Sequence, residues 1–209
     1  GTYLWNSILV TVLTTVGQVL SCSLVAYGFA RFNFKGKNIL FMILLSTMMI
    51  PWDVTMIPQY MEFNLFGWIN TLKPLIVPAW FGSAYYVFLM RQFLMGIPKD
   101  FLDAARVDGC TEYGIFFKIM IPLMKPSFAA MGIYQGMQSW NNFLWPMIVT
   151  NSIDKITLPV GLQSLLSPYG NNYDVLIAGS CFAIIPILAL FVCFQRYFVE
   201  GMTAGGVKG

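Results

Sequence analysis

The side chains that carry out most protein chemistry are scarce in this sequence. Histidine is absent, which removes the commonest general base and the commonest metal ligand. Four acids share one loop, but Arg106 and Lys118 accompany them without metal-like spacing: Asp100, Asp103, Asp108 and Glu112. The cysteines show no CxxC spacing, so neither a zinc site nor a disulfide framework is indicated: Cys22, Cys110, Cys181 and Cys193. We therefore expect no catalytic, metal-binding or cofactor-binding residues.

The remaining polar side chains are mostly uncharged and recur at helical spacing. One apolar segment carries hydroxyl and amide groups on a single face: Ser7, Thr11, Thr14, Gln18 and Ser21. Small hydroxyls commonly join helices, so we favour packing there. A later segment carries clustered amides, which packing alone explains poorly, and we expect them to line a translocation path: Gln135, Gln138, Asn141 and Asn142.

Asp53 is the one acid inside an apolar segment, in the run Met48 to Asp53. Carboxylates within membrane spans usually have a function. Asp53 also lies near the end of its segment at Pro58, where water can reach it. A role in the path, as a gate or a substrate contact, and a role as a hydrated structural residue both stay open.

The elements that position these residues are apolar helices. Hydrophobic residues make up 57% of the 209-residue chain and charged residues only 10%, whereas soluble domains have about a quarter charged residues. A membrane-crossing helix needs roughly 20 apolar residues. We predict an all-α integral membrane protein forming a single domain over residues 1–209, with five spans near 5–30, 38–58, 74–91, 126–150 and 175–196.

The positive charges indicate the orientation. If the spans alternate, one side receives ten Lys and Arg residues: Arg31, Lys35, Lys37, Arg91, Lys99, Arg106, Lys118, Lys125, Arg196 and Lys208. The other side receives Lys73 and Lys155. Because basic residues collect in the cytoplasm, we expect a multi-pass protein with a cytoplasmic C-terminus and an external start. An external start predicts that at least one earlier span is missing.

The long loop on the basic side predicts two short helices joined by a turn, which we call the elbow (residues 97–122). Pro98 and the acids after it are typical of a helix start. Gly109 permits a turn, and a second helix is expected from Thr111 to Ile121. Such an elbow, exposed on a protein with little other mass on this side, indicates a partner.

The elbow carries a spaced motif. Asp103-Ala104-Ala105, three residues, Gly109, nine residues and Ile119-Met120-Ile121-Pro122 resemble the EAA loop of the membrane subunits of binding-protein-dependent ABC importers, E-A-A-x3-G-x9-I-x-L-P. Two mild departures occur, since Asp103 replaces Glu and Ile121 replaces Leu. Other segments resemble the carbohydrate branch of these permeases, including Asn70-Thr71, Trp140-Asn141 and the tail from Gly201 to Gly209.

The resemblance implies half of a translocation pore for a sugar or sugar-like solute, located in the bacterial inner membrane. Family members usually have six spans, which agrees with a missing N-terminal helix. It further implies a second permease, two ATPase subunits that hold Mg-ATP, and an external solute-binding protein. By this resemblance the residues that couple to the ATPase are Asp103, Ala104, Ala105, Gly109, Ile119 and Pro122.

Two other classes of protein fit the sequence less well. An ion-coupled secondary carrier or channel subunit would need ionisable relays within the spans, where the sequence offers only Asp53. A membrane enzyme would need converging acids, bases or metal ligands, and the loop acids do not show that spacing. ATP hydrolysis is therefore expected on a partner, since no GxxxxGK[ST] phosphate-binding loop is present.

Overall fold

The computed structural model describes residues 1–98, 100–165 and 173–206, and these residues form helices and connecting turns without any strand. The all-α prediction is confirmed. Twelve α-helices occur in the described residues: α1 (Thr2–Arg31), α2 (Lys37–Ser46), α3 (Trp52–Leu65), α4 (Lys73–Ile76), α5 (Ala84–Gly96), α6 (Asp100–Val107), α7 (Glu112–Ile115), α8 (Ile121–Leu123), α9 (Lys125–Trp140), α10 (Leu144–Val149), α11 (Leu158–Gln163) and α12 (Tyr173–Gly206).

Within the described part of the chain, α1 is the one helix that is long and apolar enough by itself to cross a membrane. Its 30 residues contain no proline and no charge before Arg31, so nothing interrupts the backbone hydrogen bonds. It packs against α5 and α9 and lies at the centre of the described fold. At one crossing Gly132 of α9 faces Thr15 of α1, as expected for a small residue at a helix interface.

Three predicted spans are not single helices, and this corrects the sequence-based expectation. The segment 38–58 is divided between α2 and α3, whose axes differ by 96° when α2 is taken through its 3₁₀ extension Thr47–Met49. The segment 74–91 contains α4, a 3₁₀ segment at Val77–Phe81 and α5. The segment 126–150 contains α9 and α10. By length and composition, the described residues offer one span, or up to three if each bent pair counts as one.

Each break has a local cause. Pro51 forces Ile50 into an extended conformation and precedes α3, and Gly82 has a positive φ of 84° before α5. Other prolines lie within helices or in their first turns. Pro58 and Pro186 lie inside α3 and α12, while Pro122 and Pro126 occupy first-turn positions, where their missing N–H costs no helical hydrogen bond.

The elbow packs into the main core through its inner side. Buried side chains of the elbow meet α1 and α5 in one cluster that includes Tyr27, Met90, Leu94, Leu102, Ala105, Ile115, Phe116 and Met120. A second, smaller cluster holds Phe63, Trp145 and Val149 together. The second helix of the elbow begins at Glu112, continues through a π-helical stretch at Phe116–Met120 and ends at Leu123, two residues beyond the predicted end.

Some predictions lie partly outside the described residues. The segment 156–173, between the last two predicted spans, contains α11, but its part 166–172 is not described. Lys99 of the elbow and the last three residues of the tail, with Lys208, also lie outside.

Candidate functional site

A cavity of about 510 Å³ lies where α1, α4 and the break between α9 and α10 meet. All four amide residues of the predicted path line it: Gln135, Gln138, Asn141 and Asn142. From α1, Ser7, Val10 and Thr14 line the same cavity. The structure thus brings together the two polar faces that the sequence showed separately.

The amides lie together because α9 ends early. Helix α9 stops at Trp140, and residues 141–143 form a turn before α10 begins. Asn141 caps the end, with its Nδ2 donating to the Met137 carbonyl over 2.9 Å. The prediction of one continuous span over 126–150 did not include this turn, although the pair Asn141-Asn142 followed by Pro146 is a local signal for a turn.

Hydrogen bonding leaves several of these amides available. Gln135 Oε1 accepts from the Tyr86 hydroxyl over 2.9 Å, which fixes its orientation. Among the described residues, neither Gln138 nor Asn142 makes a side-chain hydrogen bond, and both are exposed. A free amide both donates and accepts, so it can bind a hydroxyl group in either sense.

Two tryptophans form the apolar wall of the cavity. The ring of Trp145 is buried, and its Nε1 donates to the Pro74 carbonyl over 3.3 Å. Trp52 meets it edge to face with centroids 5.9 Å apart. Sequence reasoning did not single out Trp52. Of the aromatics in α9, Trp140 donates to Ala183 in α12, and Tyr134 packs against Tyr85 and Tyr86.

Asp53 does not line this cavity. It is exposed in the first turn of α3, directly after Trp52, rather than inside a continuous span. A negative charge is favourable there because the N-terminal end of a helix carries partial positive charge. The break at Pro51 separates α2 from α3, and it therefore places Asp53 at a helix start and not within a continuous span.

The polar face of α1 mainly joins helices, as predicted. Ser7 Oγ accepts the Leu158 N–H over 2.8 Å, and Thr14 meets Ser139 of α9 over 3.0 Å. With its amide oriented to satisfy both groups, Gln18 donates to the Ala79 carbonyl over 2.8 Å and accepts from the Ser83 N–H over 3.0 Å. Ser7 and Thr14 combine this packing with a place in the cavity wall.

Arg106 forms two ion pairs beside the turn of the elbow, one across the turn with Glu112 and one within α6 with Asp103. Arg106 Nη1 lies 3.0 Å from Asp103 Oδ1, and Arg106 Nε lies 2.9 Å from Glu112 Oε1. These contacts, first the hydrogen bond with Glu112, raise the pKa of the Arg106 guanidinium. Gly109 makes the turn with φ 78°, and Thr111 Oγ1 caps the second helix by accepting the Gly114 N–H over 3.2 Å.

The six predicted coupling residues divide between two sides of the elbow. Ala105 is buried and Ile119 is half-buried against the core, while the other four are exposed: Asp103, Ala104, Gly109 and Pro122. The structure adds large apolar side chains on the exposed side that the sequence did not single out: Phe101, Val107, Tyr113 and Phe117. Val107 and Tyr113 are more than four-fifths exposed.

The fold and the spaced elbow define a membrane permease. The chain belongs to the family described as "binding-protein-dependent transport system inner membrane component", whose model matches residues 18–203. It is therefore a transport subunit in the membrane, part of a multi-subunit ABC importer that works with ATPase and binding-protein partners.

Named relatives are similar along the whole chain. The arabinooligosaccharides transport system permease protein AraQ of Halalkalibacterium halodurans is 51% identical over 208 residues, covering 100% of this chain and 74% of the relative. The lactose transport system permease protein LacG of Rhizobium radiobacter is 37% identical over 204 residues, covering 98% and 74%.

Solved structures share the fold. A chain of a bacterial ABC transporter involved in the import of the acidic polysaccharide alginate aligns with a TM-score of 0.84 and 25% identity, covering 94% of this chain and 74% of that one. A chain of the inward-facing MetNI methionine ABC transporter aligns with a TM-score of 0.70 and 17% identity, covering 93% and 92%.

Proposed function

We propose that this permease forms half of the pore through which an ABC importer takes up a sugar or short oligosaccharide. The observation that carries the proposal is the cavity lined by the free amides of Gln138 in α9 and Asn142 in the turn after it, together with Trp52 and Trp145. Its volume of about 510 Å³ is ordinary for a small-molecule site. The names of the relatives AraQ and LacG support a sugar as the solute.

The chemistry of the cavity suits an uncharged solute with many hydroxyl groups. Gln138 and Asn142 donate to and accept from hydroxyls, and indole rings cover the apolar faces of a sugar ring. No Lys, Arg, Asp or Glu lies among the described residues that line the cavity. Asp53 is a further candidate at the margin, since it follows Trp52 in the chain.

We propose that the exposed side of the elbow docks on a cytoplasmic ATPase. Phe101 and Val107 are exposed and lie three residues before and after Ala104, so they flank it on α6. The small size of Ala104 permits close approach, and the exposed Asp103 adds a negative charge. Mg-ATP is held by the ATPase. When two ATPase subunits close on ATP, the elbows of this permease and of a second permease move, and the pore changes its accessible side.

In this arrangement the elbow and the C-terminus lie in the cytoplasm. The opposite face of the permease, with the turn between α3 and α4, receives the solute-binding protein. The ten-to-two division of basic residues supports this orientation.

A transport assay tests the proposed solute. The complete complex, reconstituted in vesicles, is supplied with ATP and a panel of labelled sugars, including arabino-oligosaccharides and lactose. We expect ATP-dependent uptake of at least one sugar.

Loss of the amide contacts in Gln138→Leu and Asn142→Leu is expected to lower uptake at limiting sugar by about fivefold or more, since each lost hydrogen bond is worth about 1 kcal/mol.

Asn64→Leu is the matched control. Asn64 is an exposed amide residue of α3 outside the cavity, so its replacement is expected to leave uptake unchanged. Failure of every carbohydrate to be transported, or uptake driven by an ion gradient without ATP, would contradict the proposal.

A further inference from the structure

The last turns of α1 hold the elbow at two points. Tyr27 and Arg31 are four residues apart and therefore share one face of α1. Arg31 Nη2 donates to the carbonyls of Leu94 and of Ile97, the latter over 2.9 Å. Leu94 lies in the last turn of α5, and Ile97 is the first residue of the elbow. The Leu94 carbonyl also accepts the Ile97 N–H over 3.2 Å, but it has no donor at position 98 because Pro98 lacks an N–H. Arg31 thus fixes the point where α5 passes into the elbow.

Tyr27 makes the second attachment. Its ring is buried and packs on Phe116 of the elbow with centroids 4.9 Å apart. Its hydroxyl donates to Glu112 Oε2 over 3.4 Å, which is long for a hydrogen bond between oxygens. The ring therefore supplies most of the attachment energy, and the hydroxyl orients the carboxylate.

Glu112 extends this attachment to α6. Its other oxygen accepts from Arg106 over 2.9 Å, and Arg106 also pairs with Asp103 over 3.0 Å. A continuous set of polar contacts therefore runs from α1 to Asp103, next to the exposed surface of the elbow. Beneath it, Ala105 and Ile115 are buried in the same core as α1, so the elbow cannot shift without disturbing that helix.

The other end of α1 forms the cavity. Ser7 and Thr14 line it, and Ser7 lies twenty residues before Tyr27, about 30 Å along a straight helix. Helix α9 also reaches both regions, since it follows the elbow through Met124 and lines the cavity with Gln135 and Gln138. Helix α1 differs in that polar contacts of Tyr27 and Arg31 attach its far end to the elbow.

We propose that Tyr27, Arg31 and Glu112 are positioning residues that join the elbow and α1 into one body, so that a displacement of the elbow reaches the cavity through α1. The inference rests on the proposed docking of the elbow on the ATPase. It assigns the transmission to α1, by contacts that lie outside the docking surface itself.

A coupling measurement tests the inference. The complete complex in vesicles is prepared with Tyr27→Phe, Arg31→Lys or Glu112→Gln, and two quantities are measured: solute molecules taken up per ATP hydrolysed, and ATP hydrolysis without the binding protein. We expect the uptake per ATP to fall by about twofold or more in Arg31→Lys and Glu112→Gln, and less in Tyr27→Phe, which keeps the ring.

Matched controls use the same substitutions elsewhere. Tyr60→Phe and Glu62→Gln alter two residues of α3. The side chains of Tyr60 and Glu62 make no hydrogen bond or ion pair within the described residues, so wild-type uptake per ATP is expected. Because the Tyr27 hydroxyl acts on the elbow through Glu112, the double variant Tyr27→Phe/Glu112→Gln is expected to match Glu112→Gln alone.

The outcomes separate the two proposals. Wild-type uptake per ATP in Arg31→Lys and Glu112→Gln would overturn the inference alone. A reduced amount of assembled complex with unchanged uptake per ATP would also overturn the inference, since that pattern indicates a merely structural role. Absence of ATP-dependent uptake by the unaltered complex would overturn the proposed function, and the inference with it.

Discussion

Gly109 is the residue of the elbow whose backbone decides its shape. Its φ of 78° lies in the left-handed region, and a Cβ placed there would meet no atom within 4 Å. Space is therefore not the constraint. The cost of a larger residue is conformational, about 1–2 kcal/mol for an ordinary L-residue in this region.

Gly109→Val is expected to distort the turn and to lower uptake per ATP, because α6 would no longer present its exposed side correctly. Gly109→Asn is expected to retain more coupling, since asparagine adopts the left-handed conformation more readily. Uptake and ATP hydrolysis, measured together in vesicles, check both variants.

Gly28→Val in α1 serves as the control for the added side chain. A Cβ at Gly28 also meets nothing within 4 Å, but its φ is helical, so little change in coupling is expected. Equal coupling in Gly109→Val and the unaltered permease would show that the turn tolerates another conformation.

The paired alanines show what the sequence leaves undecided at the residue scale. Ala104 and Ala105 are adjacent in the motif and chemically identical, yet Ala104 is exposed and Ala105 is 5% exposed in the core. The motif identified both. Only the direction in which α6 faces the core leaves Ala104 available for the proposed docking and buries Ala105 in the packing.

At the scale of elements, Asn70 joins two turns far apart in the sequence. Its Oδ1 accepts the N–H groups of Asn151 and Ser152 over 3.0 and 2.9 Å, and its Nδ2 donates to Ser152 Oγ over 2.6 Å. Its backbone has φ 61°, the one positive value at a non-glycine among the described residues. The segment before α4 is thereby tied to the segment after α10.

Asn70→Ala is expected to destabilise the permease by about 1–3 kcal/mol, because it loses these bonds and keeps an unfavourable φ. Asn70→Gly should recover the part of the stability loss that comes from the positive φ and should retain the part that comes from the lost hydrogen bonds. Thermal unfolding of the purified complex measures the difference.

Asn64→Ala, in the same region but without such bonds, should unfold at the wild-type temperature. A midpoint for Asn70→Ala equal to that of the unaltered complex would mean that the tie between the two turns contributes little. The sequence flagged Asn70-Thr71 by resemblance, but the physical role of Asn70 depends on a partner eighty residues away.

The elements themselves were predictable where their cause is local. The apolar composition and the absence of proline and charge specify α1, and Gly109 and Thr111 specify the turn and the start of the second elbow helix. The breaks within 74–91 and 126–150 were missed, because a hydropathy run measures length and polarity and does not register a change in helix direction.

At the scale of the whole molecule, the orientation in the membrane can be tested with a native cysteine. Cys110 is exposed in the elbow, whereas Cys22 is buried and Cys181 lies in the apolar part of α12. In membranes stripped of peripheral proteins, a charged maleimide that cannot cross lipid is expected to label Cys110 in inverted vesicles and not in intact cells.

Cys110→Ser is expected to abolish that labelling and supplies the control. Strong labelling of Cys110 in intact cells would place the elbow outside and contradict both the proposed orientation and the docking of the elbow on a cytoplasmic ATPase.

Sequence alone determined the class of molecule, because composition, charge distribution and motif spacing are properties of the chain itself. The scarcity of charged residues indicated a membrane protein, and the spaced motif of the elbow indicated an importer. The tertiary structure decided which residues meet. The cavity combines Ser7 and Thr14 with Gln138 and Asn142, and the attachment of the elbow combines Tyr27 with Glu112. These pairs are separated by 85 residues or more, as in the Tyr27–Glu112 contact, so only the packing of helices on one another, which no local pattern encodes, brings them together.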